Sequence, residues 1–176
     1  IRNLRGIANL VPQDPFLFST TLRENLTYDE PGRDDALLLN AADAAGLSDA
    51  INDFAQGLDT MVGERGQTLS GGQKQRATLA RGLVRDAPIL LLDDCFSAVD
   101  TETEERILSG LARMRTGRTT LLISHRVSTA RHADRILILD GGSIIESGSH
   151  DELMSLGGYY ADLAAVQSDQ DKSRAR

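Results

Sequence analysis

The sequence predicts an α/β fold, a mostly parallel sheet with a helical block inserted into it. Three observations lead there. Four short apolar runs, IANLV at 7–11, ILLLD at 89–93, TTLLIS at 119–124 and RILILD at 135–140, have the length and branched-residue content of strands buried on both faces. Stretches with helical spacing of apolar residues separate and follow them, at 34–45, 71–86, 101–115 and 150–165. Residues 14 to about 86 hold no convincing strand, only helical patterns joined by Gly- and Pro-bearing loops such as DEPGR and GERGQ.

Each element has its own local reason. The run IANLV reads as the first strand, and DDALLLNAADAA as the first long helix of the inserted block. Ser70 stands where a cap belongs for the helix GGQKQRATLARGLVRD, and Asp100 does the same for TETEERIL, whose first turn is acidic. The pair of apolar runs in RILILDGGSIIESG flanks Asp140-Gly141-Gly142, a hairpin turn signal. The pattern at 150–165 carries the glycine pair Gly157-Gly158, and the polar tail 167–176 has no apolar period and is expected to be disordered.

Composition narrows the function. The chain has 176 residues and 40% hydrophobic content, about one domain with a sizeable core. Its net charge is -7, and its 19 basic residues are spread without a block, which argues against nucleic acid as a partner. The single Cys95 can form no internal disulfide; beside two carboxylates it reads as a small buried residue, which suits a reducing setting. No stretch approaches the 18 or so apolar residues of a membrane span, and IRNLRG has no signal-peptide pattern.

Two stretches carry chemistry. In LSGGQKQR, residues 69–76, Ser70 caps a helix while Gly71 and Gly72 let backbone N–H groups approach an anion. A Ser-Gly-Gly helix start alone reads equally well as an ordinary cap. In ILLLDDCFSAVD, residues 89–100, an apolar strand ends in adjacent carboxylates, Asp93 and Asp94. Neighbouring carboxylates repel unless a cation sits beside them, and a strand-end carboxylate suits Mg²⁺ held through its water shell.

The full octet matches the signature motif of ATP-binding-cassette (ABC) ATPases, and the rest of the chain resembles that family in order. VPQDPFLFSTTLRENL, residues 11–26, is similar to its Q-loop region, with Gln13 near magnesium and the attacking water. ILLLDD resembles the Walker B strand, SAVD (Ser97, Ala98, Val99, Asp100) the D-loop, and LLISHR the strand ending in the switch histidine, His125. GERG, with Glu64 and Arg65, resembles the loop through which exporter-type members couple to the transmembrane part. The remaining histidines, His132 and His150, lack such a context and read as surface or capping residues.

The resemblance implies a partial P-loop NTPase (RecA-like) sheet core, 1–13 and 87–166, with a helical subdomain at about 14–86. It also implies ATP and Mg²⁺ as cofactors, with Asp93 and Gln13 on the metal side, and Asp94, Gln13 and His125 in catalysis. Ser70, Gly71, Gly72 and Gln73 would meet ATP held by a partner domain in a head-to-tail dimer. The other partner implied is the transmembrane domain of an exporter, which places the chain on the cytoplasmic face of the cell membrane. A DNA-repair relative, or a purely regulatory nucleotide-binding half, is the alternative.

Two departures from the family pattern sharpen this. The only lysines are Lys74 and Lys172, and neither follows a glycine-rich loop, so no G-x-x-x-x-G-K-[ST] cradle is present. The 176-residue chain alone is therefore expected to lack ATPase activity and to expose sheet edges and an apolar face. The second departure is Asp94, where the family usually has a glutamate as general base. A carboxylate withdrawn by roughly 1.5 Å costs on the order of 10²-fold. That implies a degenerate own site, an intact signature serving the partner, and a heterodimer in preference to a homodimer.

Overall fold

The computed structural model describes residues 6–63, 69–97 and 99–174. The chain divides into two compact units, one ending at Ile123 and one running from Ser124.

The first unit is built on three parallel strands, β1 (Ala8–Val11), β2 (Ile89–Asp93) and β3 (Thr119–Ile123), in the order β1-β2-β3. Val11 pairs with Leu92, and Asp93 with Ile123, so the carboxyl ends of all three strands reach one edge. Between β1 and β2 lie α1 (Leu22–Leu26), α2 (Asp35–Ala44), α3 (Ser48–Asp53) and α4 (Gly71–Val84), and between β2 and β3 lies α5 (Thr101–Met114). Among the described residues of 14–86 the one β feature is an isolated bridge from Thr21 to Met61.

Helices and sheet share a single apolar core. Leu22, Leu26, Leu38 and Leu47 of the helical block are fully buried in the same cluster as Val11, Leu90 and Leu92 of the strands. Burying each such leucine stabilises the fold by about 1.5–3 kcal/mol. The closest approach is at Gly82 of α4, where an added Cβ would lie 2.4 Å from the Val11 side chain. Asn9 of β1 donates to the Gly82 carbonyl at 2.8 Å, so α4 is seated on β1 at one residue. The buried Arg115 closes the far end, donating to the carbonyls of Ala87 (2.6 Å) and Thr119 (3.0 Å) at the starts of β2 and β3.

The expectation of strands buried on both faces is corrected. The row Val11, Leu90, Leu92, with Leu122 packed against it, belongs to the core, whereas Leu10, Leu121 and Ile123 are 56%, 52% and 50% exposed. The cause is layering: the helices contribute their apolar faces to one side of this sheet, and side chains alternate across a strand.

The second unit is an antiparallel hairpin with three helices. β4 (Ile136–Asp140) and β5 (Ser143–Gly148) pair from Asp140 opposite Ser143, with a bulge between Ile138 and Leu139. Gly141 and Gly142 both have positive φ, 52° and 80°, as a two-residue turn matched to strand twist requires. α6 (Val127–Ala130) precedes the hairpin, and α7 (His150–Leu156) and α8 (Tyr159–Arg174) follow it. Ile136, Leu153 and Tyr160 form its buried cluster. The tail expected to be disordered is instead helical through Arg174. Alanine, leucine and glutamine at 161–167 are strong helix formers, so α8 propagates without needing an apolar stripe of its own.

Candidate active site

The carboxyl edge of the first sheet is where open parallel sheets place their ligands. Asp93 is the last residue of β2, and the Asp94 N–H donates to the Ile123 carbonyl at 3.0 Å, extending the pairing to β3 by one residue. Asp94 then turns left-handed, with φ of 42°. Only Gly, Asn and Asp visit that region readily, and such conformations cluster at functional positions. Gln13, two residues beyond β1, donates from Nε2 to Asp94 Oδ2 at 3.2 Å. Two predicted residues 81 positions apart are thus brought together on adjacent strand ends.

Beneath them Cys95 is buried, and its thiol is pushed up to about 12 by burial first and then by the charges of Asp94 and Asp93. It is a neutral packing residue, as expected. The same negative charge makes this edge suited to a cation. Asp93, Asp94 and Gln13 offer hard oxygen donors of the kind Mg²⁺ prefers. Among the described residues no group of three acidic, His or Cys side chains is arranged to hold a metal ion.

The signature stretch forms the start of α4. Ser70 Oγ accepts from the Gln73 N–H at 3.2 Å and the Gln73 Oε1 accepts from the Ser70 N–H at 2.9 Å, a reciprocal capping box. Ser70 and Gly71 are exposed, and nothing lies within 4 Å of where a Gly71 Cβ would be. With Gln73 satisfied by the cap, the N–H groups of Gly71 and Gly72 at the first helical positions are the donors with no intrahelical acceptor. They lie at the positive end of the helix dipole, Gly71 on an open surface.

Between these two regions runs the segment from Ser97 to Asp100. Gln75, buried in α4, donates to Ser97 Oγ at 3.4 Å, and Asp100 caps α5 by accepting from the Thr103 N–H at 2.9 Å. That N–H holds the Asp100 carboxyl below the usual carboxylate range. Val99 is buried, and Ala98, like Glu64 and Arg65, lies outside the described residues.

His125 belongs to the second unit, two residues after β3 in the chain, with an exposed side chain and a carbonyl that accepts from Gln167 Nε2 at 2.7 Å. Of the other histidines, His150 opens α7 and its Nδ1 lies 2.9 Å from the buried Tyr160 hydroxyl. Sequence reasoning did not find a groove of about 200 Å³ lined by Asn9, Phe16, Phe18, Tyr28 and Arg81. Arg81 donates to the Phe16 carbonyl at 2.8 Å and lies over the Tyr28 ring at 5.6 Å, while Phe16, Phe18 and Tyr28 are each about half exposed. Three exposed aromatics in 13 residues of an otherwise aromatic-poor chain were the available signal.

Comparison with known proteins bears on the family of the chain. A family profile described as ABC transporter matches residues 1–97. The ATP-dependent lipid A-core flippase of Burkholderia orbicola is 48% identical over 167 residues, 95% of this chain and 28% of that protein. The flippase of the same description from Neisseria gonorrhoeae is 45% identical over 173 residues, 94% of this chain and 28% of its own length. The chain therefore spans under a third of the length of these relatives. A solved structure of a bacterial Atm1-family ABC exporter with ATP bound superposes with a TM-score of 0.87 at 46% identity, covering 94% of this chain and 29% of that one.

Proposed function

Because this chain belongs to the ABC transporter family, we propose that it is part of the ATP-hydrolysing domain of an exporter, working in a head-to-tail pair with a second such domain. The observation that carries this is the Gln13–Asp94 hydrogen bond at the strand ends, beside Asp93 and on the same scaffold as the capped start of α4. Mg²⁺ and ATP, when bound, supply the polarised phosphate. The chain's residues then divide the work. Asp93 offers a carboxylate to the metal's side. Asp94, with Oδ2 engaged by Gln13, keeps Oδ1 to take a proton from an attacking water. His125 offers a hydrogen bond to the terminal phosphate, and Gly71 and Gly72 offer N–H groups to nucleotide held by the partner domain.

Asp94 also supports the finer reading, a weak hydrolase at its own site. A side chain one methylene short, already held by Gln13, cannot advance on the water without losing that bond. Such a half contributes mainly through its signature, which favours a heterodimer with a glutamate-bearing partner. The groove of Phe16, Phe18 and Tyr28 offers an apolar, cation-flanked seat for an element of the transmembrane domain, consistent with a place on the cytoplasmic face of a membrane. No described helix is itself long and apolar enough to cross one.

The test is photolabelling of this chain with an ATP analogue, in the full-length protein with its partner, with and without magnesium. Labelling is expected to depend on magnesium, and Asp93→Asn to weaken that component by at least about 10-fold, the loss typical of disturbing a metal site. Magnesium-independent labelling unaffected by Asp93→Asn contradicts the assignment.

A further inference from the structure

We propose that Gln167, on the C-terminal helix α8, is a positioning residue for His125. The proposal rests on reading His125 as the histidine that meets the terminal phosphate. Gln167 Nε2 donates to the His125 carbonyl at 2.7 Å, and Gln167 Oε1 accepts from the Val127 N–H at 2.8 Å. One amide thus clasps the backbone on both sides of Arg126, 42 and 40 residues away in sequence. The orientation is unambiguous, because flipping the amide would set a donor against an N–H and an acceptor against a carbonyl.

The clasp falls where it matters for an exposed imidazole. The side chain of His125 is open to solvent, so packing does not fix it; its backbone is fixed instead. The Arg126 N–H is tied to Ser124 Oγ at 3.0 Å, and Val127 begins α6 directly afterwards. With Gln167 in place, the carbonyl of His125 and the N–H of Val127 are both held, so the peptide plane leaving the His125 Cα, from which the imidazole projects, is fixed in direction. Only glutamine meets the requirement as placed: glutamate has no donor for the carbonyl, and asparagine is one methylene short. A displacement of about 1 Å at a reacting group costs on the order of 10²-fold in rate, so a lost clasp has a kinetic signature.

The experiment uses the full-length protein with its partner, in an Asp94→Glu background and with the partner's own general base removed, so that this chain's own site carries turnover. Gln167→Glu keeps the acceptor for Val127 and removes the donor to His125. It is expected to lower kcat by about 10-fold, with KM for ATP changed by less than about 2-fold. Gln170→Ala, one turn further along α8, serves as the control and is expected to leave kcat and the thermal midpoint alone. In a His125→Ala background, Gln167→Glu is expected to have no further effect. Should Gln167→Glu lower the thermal midpoint, Gln167→Ala reads the same cycle. If His125→Ala lowers kcat while both Gln167 variants leave it unchanged, the proposal is overturned and the reading of His125 stands. Equal losses with and without His125 mean a merely structural role and also overturn it. If His125→Ala leaves kcat intact, the reading of His125 fails and takes the proposal with it.

Discussion

The start of α4 and the end of β2 are built on the same core but finished to different standards. At Ser70–Gln73 every local rule agrees: a reciprocal capping box closes, the next residues are glycines, Gly71 with open space in front, and their two N–H groups have no intrahelical acceptor. At Asp93–Asp94 the chain leaves its strand through a left-handed aspartate whose short carboxylate is engaged by Gln13. An anion-binding end needs only backbone and a cap, so it is specified by a few residues. A proton-accepting end needs a side chain placed to within an ångström, and one missing methylene changes what it does. On the proposed function, the difference separates a region that serves a neighbour's nucleotide from one that holds its own without turning it over quickly.

That contrast is sharpened most by lengthening the short side chain. With the partner's own general base removed, so that residual turnover comes from this chain's site, Asp94→Glu is expected to raise the steady-state ATPase rate by about 10²-fold. An unchanged or lower rate means that something other than reach limits this site.

The next effect tests whether both regions depend on one seat. Gly82→Ala forces a Cβ to within 2.4 Å of the Val11 side chain, overpacking the contact that holds α4 on β1. It is expected to cost about 1–3 kcal/mol in denaturant unfolding, recovered in part by adding Val11→Ala. A neutral Gly82→Ala argues that α4 is not held there.

The smallest effect lies at the segment joining the regions. Asp100 titrates below the ordinary carboxylate range because the Thr103 N–H holds its charged form. Its contribution is fully present above that range and is lost as pH falls through the lowered value. Asp100→Asn keeps a capping oxygen and cannot titrate. Between about pH 7 and about pH 3 the thermal midpoint is therefore expected to fall less in Asp100→Asn than in the unmodified chain. Parallel falls dispose of the cap as an acid-sensitive element.

Much of this was legible in the residues. Periodicity located β2 at Ile89–Asp93 and placed α4 and α5 to within two residues, since short apolar runs and capped amphipathic stretches are local signals. The positions of the motif residues, at strand ends and at the start of α4, were legible because each motif adjoins a local signal, an apolar run or a helix cap. What stayed hidden was set by distance in the chain. The exposure of Leu10 and Leu121 depends on which side of the sheet the helices cover, and an apolar run cannot report that. The clasp of Gln167 on His125 joins residues 42 apart, in a segment whose polarity pointed to disorder. The left-handed turn at Asp94 is invisible until β3 fixes where its N–H must go.

The central claim is that this chain serves catalysis mainly through its signature and only weakly through its own base. The most direct measurement compares steady-state ATPase rates of Ser70→Arg and Asp94→Asn in the full-length protein assembled with its partner. Ser70→Arg is expected to lower the rate by at least about 10²-fold, because it blocks the donors offered to the partner's nucleotide, while Asp94→Asn leaves most of it. Rapid turnover that survives Ser70→Arg and is abolished by Asp94→Asn would contradict the account.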